Sequence, residues 1–377
     1  MLVLFMWLWV GVSFVVLHTY FIIKISWLMF WLTCALWAGY RWFAHLLKWW
    51  WFMIQVLGLV LLFYFSRSHL WWLMLTFEIS LLPIMFIILG FGGQRSRLPA
   101  TLYFLIYTLL FSLPMLMVLL SLKVNLNLLV NDYYVGGFTF LVLIMCFLVK
   151  LPVFGLHYWL PKAHVESPTL GSCILAAILL KTGCYGIFVV LKWSKYIVSP
   201  VWALWGACVT AILARIQVDV KKLIAFSRVC HLNLALAGIF SGRVVGFRSF
   251  LIVSLTHGFV SSGMFFLAGL VRRNRRLIYY LKGNLIMGWL LVLMFNFSHP
   301  SCHSLLGEAL AFRRLLLNSV LNMVLLLVCG MFVLWFRIIL WLNLKSQMRG
   351  GLRIRTIVLS WGFMIVLLMW FNTGLFF

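Results

Sequence analysis

The chain has 377 residues, 66% of them hydrophobic and only 9% charged, which excludes a water-soluble globule. Thirty Lys and Arg stand against five acids, for a formal charge of +25. The basic residues are scattered between apolar runs rather than gathered on one polar module, which argues against nucleic acid as a partner.

A helix that crosses a bilayer needs ~20 predominantly apolar residues. In chain order, runs of that kind lie at 1–23, 27–44, 50–66, 70–92, 99–121, 137–160, 169–191, 198–216, 222–241, 248–271, 277–297, 303–341 and 355–376. The first begins MLVLFMWLWVGVSF, without a basic n-region or a small-residue cleavage site, and reads as a span rather than a removed signal. The 303–341 run is too long for one span at ~1.5 Å per residue and reads as two helices or one bent helix. Apolar and polar residues do not alternate, so the runs are not strands of a membrane barrel. The expectation is an all-α, polytopic integral membrane helix bundle of about 13–14 transmembrane helices.

The joints between runs carry the basic residues, among them Arg95 and Arg97, Lys221 and Lys222, Arg272 and Arg273, and Arg353 and Arg355. These read as loop charges facing anionic lipids such as cardiolipin. They fall on successive loops alike and do not set an orientation. The eight cysteines lack C-x-x-C spacing and lie mostly in apolar runs. They read as small core residues, not as ligands of zinc or of an iron–sulfur cluster.

Against this apolar background the stretch FLVKLPVFGLHYWLPKAHVESP gathers Lys150, His157, Lys162, His164 and Glu166 around Pro152 and Pro161. Lys150 lies near the middle of its run. Pro152 removes a backbone donor two residues later. A helix broken at mid-membrane is expected, its freed carbonyls facing protein or a wet cavity, as at ion sites of transporters. Glu78, Lys181 and His257 also fall near the centres of their runs. A charge there costs about 2.5–3.5 kcal/mol on insertion scales, so each marks a candidate functional site with a partner expected. Glu78 with Lys150, then Lys181, His257 and Glu308, would form a row through which water could pass protons. Simpler readings stand beside this one. Glu78 and Lys150 could form a purely structural ion pair, and His257 could bond a carbonyl in the core. Lys162, His164 and Glu166 could cap the next helix and meet headgroups. Pro152 and Pro300 each interrupt an apolar stretch, with Lys150 and Glu308 nearby. A five-helix repeat with one broken helix per copy would produce that echo.

The residues VKLPVFGLHYWLPKAHVESPTLGSCILAAILLKTGCYG resemble the signature of the antiporter-like subunits of respiratory complex I. IQVDVKKLIAFSRVCHLNLALAGI is similar to that family's following block, with its Asp219-x-Lys221 and Ser227-x-x-x-His231. THGFVSSGMFFLAG, LLGEALAF and FEISLLPIMFIILGFGGQRSRLPATLYFLIYTL resemble further family blocks, the last in mitochondrial members. The resemblance implies roles. Glu78 falls on the glutamate of a charged pair, and Lys150 on the lysine of the first broken helix. Lys181 falls on the central lysine and His257 on a histidine of the connecting path. Glu308 falls on the glutamate of the second broken helix. His157, His164, Glu166, Asp219, Lys221 and His231 are secondary candidates. It also implies two inverted five-helix repeats within an antiporter-like core at 67–320, flanked by helices at 1–66 and 321–377. The implied function is proton translocation across the mitochondrial inner membrane, driven by NADH-to-ubiquinone electron transfer in other subunits. On that reading this chain binds no metal and no cofactor. NAD(H), FMN, iron–sulfur clusters and ubiquinone belong to partner subunits. The partners are other membrane-arm subunits, including neighbouring antiporter-like ones, and accessory subunits. An Mrp-type cation/proton antiporter subunit and a structural scaffold of the membrane arm are the alternatives. Departures from the family pattern are a short N-terminal region, Ser167 where alanine is common, and Lys222 and Arg228, which add charge beside the Asp219–Lys221 block.

Overall fold

The computed structural model describes residues 48–66, 69–92, 96–121, 136–193, 198–217, 219–241, 244–270, 303–316 and 322–331. The expected spans at 1–23, 27–44, 277–297 and 355–376, and the expected break at Pro300, lie outside them. The chain divides into one unit of Met1–Pro83 with Leu122–Asp132 and a second of Ile84–Ser121 with Tyr133–Phe377.

In the first unit, α1 (Lys48–Ser66) packs on α2 (Leu70–Ile79). Leu57, Leu61 and Tyr64 recur at helical spacing on one face of α1 and are buried. Tyr64 stacks on Phe77 of α2, with ring centroids 6.3 Å apart. Phe52, Leu59 and Phe63 face outward. A helix that is apolar on its outer face too is solvated by lipid tails rather than water. The chain passes through Ser80 in helical conformation and continues as α3 (Leu81–Phe91), with Pro83 in its first turn, so that Leu70–Phe91 forms one apolar span.

The second unit is layered by burial. In α4 (Arg97–Ser121) only 33% of the most apolar window is buried, whereas the continuous span Gly171–Leu191 is buried over 100% of its window. That span is made of α7 (Thr169–Ile174), a π-helical turn (Leu175–Leu179) and α8 (Leu180–Trp193). On it pack α5 (Gly137–Lys150) and α11 (Val244–Leu270), and α10 (Val220–Phe240) packs on α11. Short α6 (Trp159–Glu166) contacts α4 and α10. Farther out, α9 (Val201–Ile216) and α12 (His303–Leu316) also pack on α10, and α13 (Asn322–Met331) follows α12. The outer face of α4 shows Leu102, Ile106, Leu109, Leu113 and Met117. All five are side chains suited to lipid. With these apolar helices the protein is a multi-pass membrane protein.

The helix broken at Pro152 is present. α5 ends at Lys150, and Leu151 adopts an extended conformation with φ −77° and ψ 111°, as the residue before proline prefers. The Val153 N–H turns back to the Leu151 carbonyl at 2.5 Å. The Val149 carbonyl thereby loses its helical donor. The Trp159 indole N–H takes that place at 2.9 Å. Gly155 supplies the left-handed residue of the turn, with φ 94°. The Val149 carbonyl is thus met by the chain itself, in surroundings where Leu148, Leu151 and Val153 are all buried.

Gly186 sets how closely the broken helix approaches the central span. A Cβ placed there would overlap the ring of Phe147, which is fully buried on α5. We expect Gly186→Ala to lower the melting temperature of the purified native assembly. Gly90→Ala, at a position with open space around it, should leave the temperature unchanged or raise it slightly.

Candidate functional site

Three helices bring one acid and two histidines together. Glu308 lies on α12, His231 on α10 and His257 at the middle of α11, and all three are buried. Gly307 allows this, because a Cβ there would meet Val253 Cγ2 of α11 at 2.7 Å. At the far end of α12, Arg314 Nη2 donates to the Ser241 carbonyl at 3.2 Å and ties the helix to the end of α10.

Glu308 Oε1 lies 3.3 Å from His231 Nδ1 and 3.8 Å from His257 Nε2. The two imidazole rings stack at 4.4 Å with planes 30° apart. One carboxylate oxygen is therefore shared by two imidazoles, one at hydrogen-bond distance and one just beyond it. Imidazole and carboxylate are the side chains that exchange protons most readily near neutral pH. A shift of about half an ångström would bring His257 as close to this oxygen as His231 now lies. These three residues also have the chemistry of a metal-binding set. Their surroundings weigh against a dication, because the next ionisable group is a lysine.

That lysine is Lys181, just beyond the π-helical turn and only 1% exposed. π turns shift the helical register and are frequent at functional sites. Its chain lies across α11 at Gly258, where a Cβ would stand 2.8 Å from Lys181 Cε and 3.1 Å from Nζ. Gly258 adjoins His257. The absent side chain is what lets the ammonium group lie alongside the histidine pair. Nζ has no hydrogen-bond partner among the described residues.

The other sequence candidates fall in different surroundings. Lys150 is buried as the last residue of α5, next to the break. Glu78 belongs to the first unit, near the end of α2, with Oε1 buried and without a hydrogen-bond partner among the described residues. His157 sits in the turn of the broken helix. Its Nδ1 accepts from the Gly155 N–H at 3.3 Å, and its ring stacks on Phe154 and Tyr158. His164 is buried against Phe265 at 4.3 Å. Glu166 Oε1 accepts from Ser96 Oγ at 2.6 Å and fastens the start of α4. Lys221 Nζ donates to the Ser167 carbonyl at 2.9 Å and closes the end of α6. Asp219 pairs with Lys222 at 3.3 Å on a half-exposed surface. Lys162, outside the candidate set, lies over the Tyr103 ring at 3.8 Å. His231, ranked second from its sequence, is therefore in the cluster, with Ser-x-x-x-His as its one local signal. Glu166 and Lys221 hold segments in place, whereas Asp219 makes only a local pair at the start of α10. Arg228 is not beside the Asp219–Lys221 block at the surface. It is 3% exposed, more than two turns into α10.

The NADH:quinone oxidoreductase/Mrp antiporter transmembrane family matches residues 67–333, which hold every helix from α2 to α13. The chain belongs to this family. Among curated members, NADH-ubiquinone oxidoreductase chain 4 of Rhipicephalus sanguineus is 38% identical over 261 residues, 65% of this chain and 60% of that protein. The protein of the same name from Locusta migratoria is 37% identical over 313 residues, 76% of this chain and 68% of that protein. The chain thus spans 60% to 68% of the length of these relatives. A chain in respiratory complex I from Thermus thermophilus with bound NADH matches with a TM-score of 0.77 at 21% identity, over 95% of this chain and 82% of that one. A chain of the Mrp complex from a Dietzia species matches with a TM-score of 0.73 at 15% identity, over 90% and 67%. The fold is that of an antiporter-like membrane subunit.

His231 and Glu308 should be energetically coupled. In a double-mutant cycle on the purified assembly, His231→Ala and Glu308→Ala are expected to lower the melting temperature non-additively, because each removes the other's buried partner. Asp219→Asn and Lys222→Met should each leave it nearly unchanged, as for other half-exposed pairs.

Proposed function

We propose that this chain is a proton-translocating subunit of the membrane arm of a mitochondrial NADH:ubiquinone oxidoreductase. The observation that carries the reading is the buried row in which Glu308 bridges His231 and His257 while Lys181 lies alongside across Gly258. Each of these groups can bind and release a proton. Their spacing suits transfer by small side-chain movements or single waters. Lys150, buried at the broken helix, is a further candidate carrier in the second unit, and Glu78 is one in the first. Protons would move when redox energy released in other subunits changes the balance of charge along the row. The names of curated relatives at 37–38% identity support this assignment.

On this reading the chain does no redox chemistry itself. NAD(H), FMN, iron–sulfur clusters and ubiquinone are bound by partner subunits. The chain sits in the mitochondrial inner membrane against other membrane-arm and accessory subunits, with anionic lipid at its basic loops. The likeness to a chain of an Mrp complex supports a second reading, a cation/proton antiporter subunit. Company separates the two. Gentle solubilisation should leave the chain in a band of complex I size that stains for NADH dehydrogenase activity. A small assembly without that activity, whose transport responds to sodium, would favour the antiporter.

Lys181→Ala and Glu308→Gln should each lower NADH-driven proton uptake by roughly tenfold or more, the scale on which loss of an obligatory proton carrier acts, while the complex still assembles. Full pumping in both assembled variants would overturn the proton role.

A further inference from the structure

Three cysteines outside the proton row converge within the second unit. Cys208 of α9, Cys230 of α10 and Cys329 of α13 share one buried cluster with Ala207, Ala211 and Ala311. Small side chains there let helix backbones come close. Cys208 Sγ lies 3.2 Å from Cys329 Sγ, although 121 residues separate them in the chain. Each thiol also reaches the backbone of the facing helix. Cys208 Sγ is 3.3 Å from the Leu325 carbonyl oxygen, and Cys329 Sγ is 3.8 Å from that of Leu204. Cys230 interacts with the same Cys329 thiol. Cys173 differs, since its thiol donates to the Ser262 carbonyl at 3.3 Å.

Two chemistries suit converging thiols, a soft metal site and a disulfide. Among the described residues, donor atoms within 4.8 Å of one another are found for His231, His257 and Glu308, and not for the three thiols together. A disulfide needs two sulfurs, about 2.05 Å apart. The Cys208–Cys329 gap closes to that with about 1.2 Å of movement. Cys208 is 6% exposed and Cys329 fully buried, beneath outer helix faces that carry Trp205, Ile212, Leu327 and Val328. A charged oxidant is kept from such surroundings, whereas an apolar one dissolved in lipid is not.

We propose that Cys208 and Cys329 are an oxidation site for organic hydroperoxides of the bilayer, closing to a disulfide that joins α9 to α13. Cys208, the less buried sulfur, attacks the peroxide. The O–O bond breaks, an alcohol leaves with the thiol proton, and Cys208 becomes a sulfenic acid. Cys329 Sγ then attacks that sulfur. The S–S bond forms, the S–O bond breaks, and water leaves with the Cys329 proton. The two thiols are oxidised and one hydroperoxide is reduced to alcohol and water. Apolar surroundings make the first step slow. Contact between the sulfurs makes the second fast, so the reaction stops at the disulfide. The site is independent of the proton-transfer reading.

The test uses the intact assembly in its native membrane, exposed to cumene hydroperoxide, then denatured, alkylated with N-ethylmaleimide and digested without reductant for mass spectrometry. A peptide pair linking Cys208 to Cys329, two hydrogens lighter than the separate peptides and lost on reduction, should rise several-fold over the untreated membrane. Cys173 should be recovered alkylated. In Cys329→Ala, which lacks the second thiol, Cys208 should be carried on to the sulfinic acid. Recovery of Cys208 and Cys329 from the treated native protein as separate alkylated peptides would overturn the proposal. So would their separate oxidation to sulfinic acids, or a link from Cys329 to Cys230 alone. Should the variant fail to assemble, the native protein decides by these outcomes.

Discussion

An apolar bundle in lipid offers no water to a stray polar group, and the rest of this structure depends on that constraint. Each backbone donor or acceptor freed from a helix, and each charge carried into a span, needs a partner supplied by the protein or held within it. With 66% of its residues hydrophobic and five acids in the whole chain, the protein has few partners to give. Where they are placed therefore says what the structure is built to do.

The broken helix shows the backbone side of this constraint. Proline ends α5, and one carbonyl freed at the break, that of Val149, is met by the Trp159 indole. The break is held against the central span by a glycine contact too close for any larger residue. A lysine can then sit at a helix end, where carbonyls point toward it, rather than in the side of a continuous helix. The same economy appears at α6, whose end is closed by Lys221 and whose last residue fastens Ser96.

The histidine pair shows the side-chain side. One carboxylate oxygen serves two stacked imidazoles from two helices, and its own helix is pinned at the other end by Arg314. Three helices thus meet at one carboxylate oxygen. A small movement of any one changes which histidine holds it. Lys181 reaches the same place because the central span is wound through a π turn just before it and α11 carries a glycine where the lysine crosses. The arrangement keeps proton-exchanging groups close while leaving the hydrogen bond between them undecided, which suits transfer better than a closed, fully bonded ion pair.

The apolar runs, the break at Pro152 and the mid-span positions of Lys150, Lys181 and His257 were legible in the sequence. Each rests on a local property, whether hydropathy over about twenty residues, a missing N–H or a position counted along a helix. The partners were not legible. Apart from its Ser-x-x-x-His spacing, nothing local distinguishes His231, which lies beside Glu308, from His164, which lies against Phe265. Glu166 reads as a candidate carrier, and only its contact with Ser96 reveals a fastening. Arg228 reads as charge added beside the Asp219–Lys221 block. Yet α10 begins at Val220, and at ~1.5 Å per residue Arg228 stands about 12 Å along it. The sequence by itself determined which segments are helical, where one breaks and which charges are carried into the membrane. Tertiary structure alone decided which of those charges meet, because that depends on how far each helix is rotated and slid against its neighbours. Close packing at residues such as Gly186, Gly258 and Gly307 fixes this, at positions distant in sequence from the groups they bring together.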